Sequence, residues 1–305
     1  MATTMAAPVA NSISLATKFL PILDDIYKRE SLTNVLDTAN ERVQFIGAQT
    51  AKIFKVDVDG LGNYSRNAGF VPGSSDGTWE TLTIEQDRGR SFSIDVMDND
   101  ESLGMALAAT LSQFERTQVV PEIDAYRAAK YAANAGTTVT ATLSGSDNVA
   151  DLIQTAEASM DDDEVPVEGR ILFINPFIYS YLKGDITRYT ENGDPDVNGR
   201  IEMYDGMRVI RVPSARFNTQ ITLAQPTTNS SAGGFSATGV DINFMIVHPS
   251  AVLQVIKHQI PRLFSPEVNQ EADAWKLNYR VYHDCWVLAN KTDGIYVHKK
   301  AAATT

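Results

Sequence analysis

Cysteine occurs once, at Cys285, in a chain of 305 residues. One thiol excludes an intrachain disulfide and fits assembly in a reducing cytoplasm. Long apolar runs are missing as well: none approaches the roughly 18 residues that a membrane span requires, and no basic stretch followed by an apolar one marks a secretory signal. Basic residues are the minority, 26 Lys and Arg against 38 Asp and Glu, for a net charge of -12. Affinity for nucleic acid comes mostly from Lys and Arg neutralising phosphates, so this balance argues against a DNA-binding enzyme. It leaves open a container whose inner wall must not stick to DNA. At 43% hydrophobic and 21% charged the composition is otherwise that of an ordinary globular protein with length enough for a sizeable core.

Catalytic signatures are equally scarce. The four histidines, His248, His258, His283 and His298, lie in or beside strand-like stretches without the spacing of a metal-binding HExxH pair. No G-x-S-x-G, Walker or Rossmann pattern names a nucleophile or a phosphate cradle. Cys285 sits on the apolar face of an alternating strand, where a thiol behaves as a small hydrophobe. One short match stands out: Asp194, Asp196, Asn198 and Asp205 keep the spacing of an EF-hand calcium loop, with Ile201 at its apolar position. Pro195 suits a plain turn, and a strand follows where the motif needs a helix, so we expect no metal there. The acidic run 161–164 reads as a solvated helix end.

The segment 51–97 carries the clearest pattern. Val56 and Val58, then Leu82 and Ile84, then Phe92, Ile94 and Val96 alternate with polar residues, which predicts three one-sided strands. A Gly- and Asn-rich loop, 60–77, separates the first two, and Asp87-Arg88-Gly89-Arg90 reads as a turn before the third. Such a ribbon has too little apolar surface for a core of its own. It suits a chain that lies across its neighbours, with Trp79 as an interface anchor and Arg88 and Arg90 reaching neighbouring carboxylates. The first 40 residues read as an arm whose Phe19 and Leu20 dock on other surfaces.

A long helix follows. Asp98 and Glu101 form a capping-box-like start, Leu103, Leu107, Leu111 and Phe114 share a face, and Pro121 should kink or divide the helix before Gly136 ends it. From Thr137 a mixed α/β unit is expected. It has a helix capped by Ser146 with Val149, Leu152, Ile153, Ala156 and Met160 on one face, then a buried strand at 170–174, a helix over 177–183, and buried strands at 207–212 and 242–247. A long strand with aromatics on both faces, 275–287, leads through a turn into a finishing hairpin at 294–298.

This order of parts resembles the major capsid proteins of tailed bacteriophages, which share the Hong Kong 97 phage fold. The residues that carry the likeness are Gly60-Leu-Gly-Asn-Tyr-Ser-Arg-Asn-Ala-Gly-Phe70, Trp79-Glu80, Asp87-Arg-Gly-Arg-Ser-Phe92 and Val119-Val-Pro-Glu-Ile-Asp-Ala-Tyr-Arg127. Asn175-Pro176, Tyr204-Asp-Gly206, Val209-Ile-Arg-Val-Pro-Ser214, Arg216-Phe217 and His248-Pro249 extend it. The resemblance implies an α+β fold with an N-arm (1–45), an E-loop (46–98), a P-domain made of a spine helix (99–136) and terminal strands (246–305), and an A-domain (137–245). It implies a structural protein without cofactor that assembles in the host bacterial cytoplasm and resides in the virion. Many copies would form hexamers and pentamers of an icosahedral shell around double-stranded DNA, without sequence-specific binding and without a membrane. Partners would be a portal protein, a separate scaffolding protein and a decoration protein. Trp79, Arg88, Arg90, Phe92, Phe19 and Leu20 would form the intersubunit interface. Lys52 and Lys55 lie in the hairpin, but the crosslinking positions of some members cannot be matched, so contacts are expected to be noncovalent. Two other readings are an encapsulin-like nanocompartment and a metal-assisted hydrolase using the 194–205 loop.

Overall fold

Alternation along the first two strands builds a ribbon, and the computed structural model shows which side of it meets the body. The model describes residues 31–37, 50–67, 69–96, 111–189, 201–226, 233–270 and 272–302. β1 (Thr50–Val58) and β2 (Ser75–Thr83) pair antiparallel, with Phe54 opposite Trp79 and Val56 opposite Gly77. Ile53 and Leu82, on the other face, pack with Ile84 against Leu253 and Val255 and so fasten the ribbon base. The third strand departs from the sequence reading. β3 (Gln86–Asp95) pairs with a strand near the C-terminus and not with β2, and it runs straight through Asp87, Arg88, Gly89 and Arg90, which form no turn. Its alternate residues Phe92 and Ile94 join a core cluster, which holds β3 in the body and leaves a two-stranded ribbon.

The chain then turns helical. Leu111 and Phe114 lie on the helix that continues into α1 (Val120–Ala133), whereas Asp98, Glu101, Leu103 and Leu107 fall outside the described residues. Pro121 neither breaks this helix nor leaves it regular. The turn Glu115–Val119 is π-helical, and the N–H of Val120 donates to the carbonyl of Glu115. A widened turn makes room for a ring that cannot donate, so the interruption is local.

β4 (Thr137–Thr140) precedes α2 (Val149–Asp162), which is capped by Asn148 and not by Ser146: the Asn148 side chain accepts from the N–H of Asp151 at 3.4 Å. β5 (Ile171–Ile174) is wholly buried, and α3 (Pro176–Tyr189) runs six residues beyond the end read from sequence. β6 (Met203–Tyr204) and β7 (Met207–Arg211) form a tight hairpin, β8 (Ile221–Leu223) and β9 (Phe235–Ala237) a second small one. β10 (Ile242–Val247) is buried along its whole length. β11 (Val252–Gln259), β12 (Arg262–Phe264), β13 (Ala274–Val287) and β14 (Ile295–Lys299) complete the chain.

Two sheets organise these parts. The larger has the order β4-β14-β10-β5-β7-β6. One of its faces, with Leu172, Ile174, Phe244 and Ile246, packs under α2 and α3. The other, with Phe173, Met245, Val247, Ile295 and Val297, meets Tyr126, Ala128 and Tyr131 of α1 together with Val252 and Cys285. Cover on both faces explains why β5, and β10 apart from Asn243, are continuous apolar runs and not alternating ones. β14 therefore makes no hairpin with β13: it lies between β10 and β4 in the larger sheet. In the second sheet β13 is central, paired with β3 on one side and with β11 and β12 on the other. Leu277, Tyr279 and Val281 of β13 face Val119, Val120 and Ile123, while Tyr282 and Trp286 lie under the ribbon base.

Candidate assembly surface

The outer face of the ribbon is apolar and uncovered. Trp79 is 60% exposed, Phe54 51%, Val56 53% and Val58 67%. Phe54 lies tilted against Trp79 with ring centroids 4.9 Å apart, and its ring crosses Gly77, where an added Cβ would come within 2.4 Å of the ring edge. Glycine at this position leaves room for the Phe54 ring to lie across the strand against Trp79. Farther out, Ser65 and Gly69 bridge the ribbon end, Gly69 at φ 80°, and Tyr64 packs against Phe70 at 4.9 Å. Leu61, Phe70 and Val71 stand in solvent around this second aromatic pair. Contiguous exposed apolar surface on a narrow two-stranded support marks a contact site for another molecule.

The opposite face of the ribbon is polar beyond Ile53 and Leu82 at its base. Lys55 pairs with Glu80 at 2.8 Å, whereas Asp57 stands directly opposite Asp76, a like-charge pair that weakens the ribbon on its own. Asp59 accepts from the N–H of Ser74 at 2.6 Å, and that bond holds its carboxyl below the usual range.

The other expected interface residues divide. Arg88 is engaged inside the subunit, donating from Nε and Nη2 to the two Glu122 oxygens at 2.7 and 3.2 Å and from Nη1 to the carbonyl of Ala224 at 2.7 Å. It ties β3 to the first turn of α1. Phe92 also turns inward, edge-on to Phe114 at 4.8 Å. Arg90 borders a cleft with Phe114, Gln118 and Pro226. Phe19 and Leu20 lie outside the described residues. Sequence reading missed Phe54, whose alternation with Val56 and Val58 was the available signal, and the Tyr64–Phe70 pair, whose residues are scattered through a glycine-rich loop.

The calcium-like spacing has a different explanation at its one described member. Asp205 (φ 46°) and Gly206 (φ 79°) are the two central residues of the β6–β7 hairpin, the left-handed pair that a type I′ turn demands. Asp194, Asp196 and Asn198 fall outside the described residues, and among the described ones no group of acidic, His or Cys side chains is arranged to hold a metal ion. Burial, then the nearby Asp205 carboxylate, raise Glu157 on α2 to about 7. At the end of α2, Asp161 pairs with Arg170 at 2.6 Å.

The remaining polar groups are structural. His283 is buried, and desolvation, reinforced by Arg127 and Arg88, depresses it to about 3. His298 is buried beside Asn243 and stacks on Phe244. Burial pushes the Cys285 thiol up to about 12, which makes it inert as a nucleophile. No helix among the described residues is long and apolar enough to cross a membrane.

With this geometry in hand, comparison with solved structures defines the class. A structure of Mycobacterium phage Che8 aligns with a TM-score of 0.55 at 18% identity over 83% of this chain and 85% of that one. The capsid of Cyanophage P-SCSP1u aligns with a TM-score of 0.63 at 15% identity over 88% and 87%. A virus-like particle from Pyrococcus furiosus aligns with 0.52 at 12% identity over 92% and 98%. Identities this low establish the fold alone: an α+β capsid fold of the Hong Kong 97 phage type. A family model described as Phage capsid protein matches residues 78–297, and the chain belongs to that family as a structural protein of a bacteriophage capsid. No curated protein matches the chain.

Proposed function

We propose that the chain is the major shell subunit of a tailed phage head, assembling as hexamers and pentamers into a closed icosahedral particle around double-stranded DNA. The observation that supports this most is the uncovered apolar face of the ribbon, Phe54, Val56, Val58 and Trp79, fastened at its base to the body and open along its length. In a closed lattice each ribbon lies across the next copy, and every copy both gives and receives that contact. Trp79 is its central anchor and Arg90 a second contact at the body. The contacts are noncovalent, so Lys52 and Lys55 carry no crosslink. The net charge of -12 lets the enclosed DNA slide past the wall without sticking. A portal protein, a separate scaffolding protein and a decoration protein complete the assembly, which forms in the bacterial cytoplasm.

The N-arm (1–45), E-loop (46–98), spine helix (99–136), A-domain (137–245) and terminal strands (246–305) carry these contacts, with β14 serving the A-domain sheet. Similarity to a virus-like particle supports a second reading, a nanocompartment with other contents. Electron microscopy and sedimentation of particles recovered from infected cells, where portal and scaffolding proteins are present, test both readings. Closed shells that hold nuclease-protected DNA in infected cells support the phage head; closed shells devoid of nucleic acid favour the compartment; small discrete oligomers overturn both.

A further inference from the structure

Residues 31–37 are held in a seat built from parts far apart in the sequence. The carboxylate of Asp124, 1% exposed on α1, accepts from Ser31 Oγ at 2.9 Å, Thr33 Oγ1 at 2.8 Å and the backbone N–H groups of Leu32 and Thr33 at 3.1 and 3.4 Å. Arg216, which follows β7 of the larger sheet, reaches the same carboxylate at 3.5 Å. Arg127, fully buried, donates to Thr33 Oγ1 at 2.8 Å and lies 3.7 Å from Asp37. Leu36 is fully buried in the cluster where Phe173 and Met245 of the larger sheet meet Val252 and Cys285 of the second one. One seven-residue piece is therefore bonded to the spine helix and shares a core cluster with residues of both sheets.

Its hold on the seat joins these polar contacts to a small apolar contribution, Leu36 together with Leu32 and Val35, which pack half-buried against the same cluster. Leu36 is its only fully buried apolar side chain, and a hydrogen bond exchanged against water yields little net stability. The strands that flank the seat, β5 and β10, are buried along their whole length. Elements with few buried apolar contacts open locally before the core does.

We propose that residues 31–37 form a releasable strap, and that Leu36 wedged at the seam, with Asp124 holding the strap in place, sets the relative position of the two sheets as the subunit enters the shell. The strap itself is a property of the single chain; its effect on assembly rests on the shell reading above.

Hydrogen exchange of the full chain, read by NMR or fragment mass spectrometry, tests the strap. The amides of Leu32 and Thr33 should exchange at least about tenfold faster than those of β10, which marks opening without global unfolding. Thr33→Val keeps the shape and removes the hydroxyl shared by Asp124 and Arg127. It should speed exchange at residues 32 and 33 by about tenfold and leave β10 unchanged, while Thr33→Ser behaves as wild type. Particles assembled from Thr33→Val should show a broader spread of diameters than wild type. Exchange at 32 and 33 equal to that of β10, or unmoved by Thr33→Val, overturns the strap. Identical diameter distributions overturn its role in assembly. If the wild-type chain produced together with its scaffolding protein forms no particles, the shell reading fails, and the exchange data alone still decide the strap.

Discussion

Replacing Trp79 by alanine should separate assembly from folding. A tryptophan presents up to about 250 Å² of surface, and with Trp79 60% exposed in the subunit about 150 Å² remains to be buried by a neighbour. At about 25 cal/mol per Å² that is worth about 4 kcal/mol, of which alanine keeps little, so about 3 kcal/mol is lost at each contact. Inside the subunit the substitution forfeits only the exposed contact with Phe54, about 1 kcal/mol or less. At 1.4 kcal/mol per tenfold, the concentration needed for assembly rises about hundredfold, while the denaturant midpoint barely moves. Light scattering against protein concentration reads the first quantity and urea unfolding followed by fluorescence of the remaining tryptophans reads the second. Trp79→Phe should recover much of the loss. Unchanged assembly in Trp79→Ala, or assembly lost only in step with a large fall in stability, would refute the pad as an intersubunit contact.

Further predictions concern the subunit itself. Because His283 is held near 3 in the fold against about 6.5 when unfolded, its contribution is intact above pH 6.5. It falls toward pH 3 by about 1.4 kcal/mol per pH unit; urea titrations should show that slope flattened in His283→Gln. Glu157 behaves in the opposite sense: raised to about 7, it contributes most below about pH 4.5 and loses that contribution as pH climbs through 7. The loss is about 1 kcal/mol once solvent screening is allowed for, and Glu157→Gln should abolish this dependence. Arg88→Leu leaves the Glu122 carboxylate inside without its bidentate partner and should cost about 2 kcal/mol. The double variant with Glu122→Gln should be more stable than Arg88→Leu alone, and equal or lower stability would contradict an internal role for this pair.

What could be read from the sequence depended on whether the signal was local. The wholly apolar strand 171–174, the strand 242–247 with Asn243 as its one polar residue, the amphipathic α2 and the one-sided alternation of β1 and β2 are patterns within single elements, and the structure has them. Partnerships were not legible. Strand 86–95 alternates as a hairpin strand would, and nothing within it says that its partner lies nearly two hundred residues away in β13. For the same reason β14 appeared to fold back on β13. Arg88 seemed outward only because the turn assigned to 87–90 would have placed it at an exposed corner, and Phe92 because its strand was read as part of the ribbon. Trp79 was identified correctly as exposed, since its strand had no second apolar face to hide it, whereas Phe54 gained meaning only from the register that sets it opposite Trp79. The Asp124 seat joins residues 31, 33, 124, 127 and 216, and no spacing in the chain announces such a set.

The central claim is that the ribbon of one copy completes the surface of the next. A cryo-electron microscopy reconstruction of particles assembled from the wild-type chain tests it most directly. The account predicts a closed shell in which the ribbon 50–83 lies across an adjacent copy, with Phe54 and Trp79 buried in that contact. A shell whose ribbons fold back on their own subunits, or stand in solvent with Trp79 uncovered, would contradict it.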